Sequence, residues 1–135
     1  MKFWSKIDIF VAISKTILKS DVRLSMDERV EILQLVIKAI IHIHSKRMVH
    51  LDIKPENIFL NYHENSKNWN QKDLVLADFG ISYRTNRARE KPTCSGTPGF
   101  GAPEQFIAKP QINSDNYSLD AVFYKGLASC TKFGP

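Results

Sequence analysis

His50-Leu51-Asp52-Ile53-Lys54-Pro55-Glu56-Asn57 is the stretch on which the reading of this chain turns. Its core is His-x-Asp-x-Lys, closed by Asn57, and the elements around it tell what kind of scaffold carries it. Immediately upstream, Ser25-Met26-Asp27-Glu28 has the Ser-x-x-Glu form of a capping box, with two acids at the positive end of a helix. The helix so opened runs from Met26 to about His44. Its apolar residues (Ile32, Leu33, Leu35, Val36, Ile37, Ala39, Ile40, Ile41 and Ile43) cover most of the circumference, which predicts burial on several sides. Further upstream, Ile7, Phe10, Val11, Ile17 and Leu18 fit a short amphipathic helix over residues 7–19. Downstream, Ile58-Phe59-Leu60 and Leu74-Val75-Leu76 read as two strands joined by a polar hairpin loop. Residues 78–104, rich in Gly, Pro, Ser, Thr and Arg, read as a long irregular segment, and such loops are usually functional. A last helix, capped by Ser114 or Asp115, runs through Leu119, Val122, Phe123 and Leu127. The expected fold class is mainly α with one small β-hairpin.

Composition narrows the function classes. The 135 residues suit one domain or a large piece of one, and 43% hydrophobic against 24% charged residues argues for a packed core over disorder. The net charge of +5 is scattered. Its densest run, Arg84, Arg87, Arg89 and Lys91, includes Glu90 and has no interleaved aromatics, so it reads as a solvated loop and no nucleic-acid partner is expected. Cys94 and Cys130 are too few and too far apart for a disulfide framework or zinc knuckle, and reduced thiols suit a cytoplasmic, intracellular protein. No apolar run approaches the roughly 20 residues that span a bilayer. The opening MKFWSKIDIFVAISK is interrupted by Asp8 and lacks a small-residue cleavage pattern, so it reads as helix, not as a signal peptide, and no membrane partner is expected.

Three further signals follow the first in order: Asp78-Phe79-Gly80 after the second strand, Gly96-Thr97-Pro98-Gly99-Phe100-Gly101-Ala102-Pro103-Glu104, and Asp115-Asn116-Tyr117-Ser118-Leu119 opening the last helix. A His-x-Asp…Asn loop alone is weak, since small kinases acting on antibiotics or sugars use a related one. All four in this order resemble the protein kinase family. Lys54 together with Gly96-Thr97-Pro98 resembles its serine/threonine members.

The resemblance implies that residues 1–135 are a partial kinase domain, the large C-terminal lobe, with ATP and Mg²⁺ as cofactors and protein hydroxyls as acceptors. It makes Asp52 the base that orients the acceptor hydroxyl, and Lys54 a cation for the transferred phosphoryl group. Asn57 and Asp78 become oxygen ligands for Mg²⁺. Thr97 is implied to hydrogen-bond Asp52 and Lys54, Gly80 to permit the turn that aims Asp78, and Phe59 to lie under adenine or simply in the core. His50 and Phe79 match a packed column and Asp115 its anchor.

The chain also departs from the family pattern. No Gly-x-Gly-x-x-Gly and no Val-Ala-x-Lys strand precede His50, and Gly96 to Gly101 is the substrate platform, not a phosphate loop. The expectation is therefore a lobe without the N-terminal lobe and without the last helices. Glu104 then lacks its usual arginine partner. Leu51 replaces the arginine that grips a loop phosphate, and Asp120 stands where glycine is usual. The partners expected are a protein substrate or a complementing kinase lobe, with self-association through exposed apolar helices. The alternative function is an inactive, kinase-like binding module or a truncated remnant. His42, His44 and His63 have no ligand-like spacing and remain unassigned.

Overall fold

Helix α1 (Met26–Ser45) begins where the Ser25 side chain makes it begin. Ser25 Oγ accepts from the Glu28 N–H at 3.2 Å and Glu28 Oε2 accepts from the Ser25 N–H at 2.8 Å, so the expected capping box is closed in both directions. Such a cap contributes about 1 kcal/mol. The computed structural model describes residues 25–60, 74–87 and 93–128. The helix expected over 7–19, the connection 61–73, His63 and Cys130 lie outside them.

One stripe of α1, Ile32, Leu35, Val36 and Ile40, packs against Ile53, Ile58, Leu74, Phe100, Leu119 and Val122 in a single buried cluster. Each such aliphatic side chain contributes about 1.5–3 kcal/mol on full burial. Leu33, off this stripe, is buried as well, so α1 is covered on more than one side as expected, while Ile41 is 62% exposed on a remaining flank among the described residues.

The expected hairpin forms. Strands β2 (Ile58–Leu60) and β3 (Leu74–Leu76) pair antiparallel, Ile58 opposite Leu76 and Phe59 opposite Val75. A second ladder was not expected: β1 (Met48–Val49) pairs antiparallel with β4 (Tyr83–Arg84). It is extended by the Thr85 N–H on the Arg47 carbonyl at 2.9 Å and brackets the His50–Asn57 loop. Short 3₁₀ turns at Pro55–Asn57 and Pro103–Ile107 use proline's fixed φ at their first positions.

Helix α2 (Ile112–Ala128) starts earlier than the capping residues suggested. Ser114 and Asp115 lie inside its first turn. Ser114 Oγ accepts from the Gln111 N–H at 2.9 Å and donates to Glu104 Oε1 at 2.6 Å, so Glu104 has a partner other than arginine. Asp120 is exposed on α2 and hydrated, with no burial cost.

Candidate active site

The loop carrying Asp52 is held in a conformation it would not choose alone. Leu51 has φ 67°, a left-handed value that costs a branched, non-glycine residue about 1–3 kcal/mol. The wholly buried Asp115 carboxylate offsets this by accepting from the Leu51 N–H at 2.8 Å on Oδ1 and the His50 N–H at 2.9 Å on Oδ2. His44 Nε2 lies 2.8 Å from the same Oδ2. A buried carboxylate persists only with several such partners. His50 Nδ1 accepts from the Asp52 N–H at 3.2 Å, so its proton sits on Nε2 and is donated to the Ala77 carbonyl at 2.9 Å. The His50 ring stacks at a tilt against Phe79, centroids 4.6 Å apart.

Three polar side chains, Thr97, Asn57 and Lys54, converge on the Asp52 carboxylate. Thr97 Oγ1 donates to Asp52 Oδ1 at 2.7 Å, and Lys54 Nζ donates to the same Thr97 hydroxyl at 2.9 Å. Asn57 Nδ2 donates to Asp52 Oδ2 at 3.1 Å and to the Asp52 carbonyl at 2.8 Å, while Lys54 Nζ stands 3.5 Å from Oδ2. Thr97 thus joins a loop 45 residues away in sequence. Its own backbone is turned by the Phe100 and Gly101 N–H groups, which both donate to its carbonyl at 3.1 and 2.8 Å. Lys125 of α2, 3.8 Å above the Phe100 ring, covers that turn.

Asp78 sits one residue beyond Ala77, whose N–H donates to the Asn57 carbonyl at 2.9 Å. Gly80 lies in a turn that the Ser82 N–H closes on the Phe79 carbonyl at 3.2 Å, but the left-handed φ, 60°, belongs to Asp78, a region aspartate tolerates better than most residues. Gly80 instead donates its N–H to Asp78 Oδ1 at 3.3 Å, and a Cβ there would stand only 3.1 Å from that oxygen. The Asp78 side chain is exposed. Phe59 is half-buried in β2 and stays outside the buried cluster. Two residues that sequence reasoning missed belong to this region. His44 has no spacing signal, and Gln105, wholly buried, links the two loops.

An open apolar cavity of about 730 Å³ lies beside the site, between Leu35, Ala39 and Ile41 of α1, Val75 of β3, and Phe79. Among the described residues no helix is long and apolar enough to cross a membrane, and no group of three His, Cys, Asp or Glu could hold a metal ion.

The model of the protein kinase domain matches residues 9–134. A titin homolog of Caenorhabditis elegans is 30% identical over 118 residues, 87% of this chain and 1% of that protein. "Probable serine/threonine-protein kinase fhkE" of Dictyostelium discoideum is 34% identical over 66% of this chain and 13% of its own length. The human serine/threonine-protein kinase H1 is 32% identical over 76% of this chain and 24% of its own length. The chain therefore spans less than a quarter of the length of each of these relatives. With the domain model matched over residues 9–134, the chain belongs to the protein kinase family.

Proposed function

We propose that residues 1–135 are the large-lobe portion of a serine/threonine protein kinase domain, transferring the terminal phosphoryl group of ATP to a protein hydroxyl. The observation that carries this reading is the Asp52 carboxylate held by Thr97, Asn57 and Lys54 at 2.7, 3.1 and 3.5 Å. Phosphoryl transfer has a loose transition state, so positioning and charge neutralisation supply most of the catalysis. Asp52, with its two oxygens fixed, presents a remaining lone pair to the acceptor O–H. The acceptor oxygen forms its bond to the γ-phosphorus, the bond to ADP breaks, and the proton passes to Asp52. Lys54 donates one N–H to Thr97, stands 3.5 Å from Asp52 Oδ2, and keeps at least one N–H for a phosphoryl oxygen.

The donor set suits Mg²⁺. Asn57 Nδ2 faces two acceptors on Asp52, which fixes the amide orientation and leaves Oδ1 uncommitted among the described residues. Asp78 adds an exposed carboxylate, and phosphates and water complete the shell of such an ion. Bound there, Mg²⁺ would neutralise charge on the phosphates. The reading implies an intracellular setting, where ATP is present and the exposed Cys94 thiol remains reduced.

The test supplies the chain with the ATP-clamping N-terminal lobe of a serine/threonine-kinase relative, labelled ATP, Mg²⁺ and a serine/threonine peptide. Incorporation that falls at least about 10²-fold in Asp52→Ala is expected. Incorporation indifferent to Asp52, or none from the folded complex, sets the reading aside.

One observation favours a second reading, a binding module. Ile41 at 62%, Val75 at 47% and Phe79 at 41% exposure line the 730 Å³ cavity, an apolar face suited to a complementing lobe or a second copy. Binding of such a partner by Asp52→Ala as tightly as by the parent chain, with no transfer by either, is its expected signature.

A further inference from the structure

We propose that Gln105 is a positioning residue that fastens the Asp52 loop to the segment carrying Thr97, an inference that rests on the kinase reading above. Gln105 is wholly buried, and its amide is spent on three backbone groups. Nε2 donates to the Leu51 carbonyl at 2.7 Å and the Ser95 carbonyl at 3.1 Å, while Oε1 accepts from the Ala102 N–H at 3.0 Å. Two acceptors on one side and a donor on the other allow only one orientation of the amide.

The position of these bonds matters more than their number. The Leu51 carbonyl belongs to the same peptide plane as the Asp52 N–H, which points at His50 Nδ1 at 3.2 Å. Leu51 is the left-handed residue, its N–H held by Asp115 and its carbonyl by Gln105. Two distant parts of the chain therefore grip both ends of the residue whose φ sets the direction of Asp52. On the other side, Ser95 lies two positions before Thr97, which donates to the Asp52 carboxylate. The contacts close a ring: Leu51, Asp52, Thr97, Ser95, Gln105. Backbone and side chain of Asp52 are both referred to the 95–97 segment, the first through Gln105 and the second through Thr97.

The surroundings are shaped to let the amide in. Gly96, between Ser95 and Thr97, has φ 154°, and a Cβ on it would stand 3.0 Å from Gln105 Nε2. The turn that carries Gln105 is itself tied to α2 by the 2.6 Å bond from Ser114 to Glu104. Leu51 is apolar and 2% exposed, so it has no polar group of its own with which to reach the segment. The link is a neutral amide, indifferent to ionic strength.

Gln105→Glu in the full chain keeps the shape and removes both donors, setting a carboxylate against two carbonyl oxygens until it protonates. Residue-resolved hydrogen exchange is expected to speed up by about tenfold or more at the Leu51 and Asp52 amides, with Ile32 to Ile40 of α1 unchanged. Once corrected for intrinsic rates, the gap from the parent chain is expected to shrink as pH falls and the new carboxyl regains one donor. Rates within about threefold of the parent, or an acceleration independent of pH, overturn the proposal. If α1 loses protection as well, Gly96→Ala decides instead: it must reproduce the selective acceleration at Leu51 and Asp52, and its failure to do so overturns the idea. In the complemented enzyme, Gln105→Glu is expected to lower kcat about tenfold or more with KM for ATP within about threefold. An unchanged kcat beside selective exchange makes Gln105 structural and ends its positioning role. A parent complex without transfer defeats the kinase reading, and the positioning role with it, while the exchange data still report the tether.

Discussion

Asp115→Asn replaces one oxygen by an amino group, yet the geometry gives that exchange a large cost. In the parent chain Oδ1 accepts from Leu51 at 2.8 Å, and Oδ2 accepts from His50 at 2.9 Å and meets His44 at 2.8 Å, all on a side chain with no exposure. Asparagine keeps one acceptor. If that oxygen stays with His50 and His44, the amino group faces the Leu51 N–H, donor against donor. One charge-assisted bond is then lost, about 1.5–3 kcal/mol, and a buried donor is orphaned for about 1–3 kcal/mol more. Relaxation of Leu51 from its left-handed φ returns part of this, which leaves a net loss of about 2–5 kcal/mol. Urea unfolding at 25 °C, followed by far-ultraviolet circular dichroism, reads it as a midpoint lower by about 1–4 M. His44→Ala is the internal control, because it leaves both backbone donors on the carboxylate and costs only about 1–2 kcal/mol. A loss under about 1 kcal/mol for Asp115→Asn, or one no larger than that of His44→Ala, would refute the account of Leu51 given above.

Three further outcomes are expected. Changing Thr85, Thr93 and Ser95 together to Ala leaves turnover of the complemented enzyme within about tenfold, because the buried, apolar Leu51 cannot grip a phosphate as an arginine does; a larger loss argues for a phosphate contact elsewhere. Burial first, and the Asp115 charge second, raise the Tyr83 hydroxyl above its ordinary pKa of 10.0. The folded chain then keeps a proton that the unfolded chain releases, so stability is lost as pH rises from about 10 through the folded value. Tyr83→Phe is expected to flatten that slope in urea titrations, and identical slopes count against it. Ile41→Glu, at a position 62% exposed on the open cavity, is expected to cut hydrophobic-dye binding severalfold while shifting stability by less than about 0.5 kcal/mol; unchanged dye binding points to a different apolar patch.

Much of this arrangement is written in local patterns, and those parts were legible. The Ser25–Glu28 box, the apolar stripe of α1, the paired runs at 58–60 and 74–76 and the four motifs are all short-range signals. What escaped depends on partners far along the chain. The β1–β4 ladder is two residues per strand, too short for any periodicity to show. Leu51 and Arg47 adopt left-handed φ without being glycine, so nothing in their identity announces a turn. His44 meets a carboxylate 71 residues away and Gln105 a carbonyl 54 residues away, distances at which no spacing rule operates. Asp115 did not escape: beside its reading as a cap for α2, the family resemblance made it the anchor of the column of His50 and Phe79, and its wholly buried carboxylate accepts from the His50 and Leu51 N–H groups.

Because Asp115 follows Leu51 by 64 residues, the site also has a place in time. At roughly 5–20 residues added per second, the anchor is synthesised about 3–13 s after the loop it holds. Thr97 and Gln105 come 45 and 54 residues after the groups they hold, so for most of that interval the Leu51 backbone and the Asp52 carboxylate lack these partners, and Asp115 comes last. The nascent chain then carries the reactive side chains but not their geometry. Helix α1 and its cap can form early, from contacts close in sequence, whereas the charged cluster must wait for α2. Synthesis that stalls before residue 115 would yield a chain with the motif and without the carboxylate that holds the Leu51 backbone.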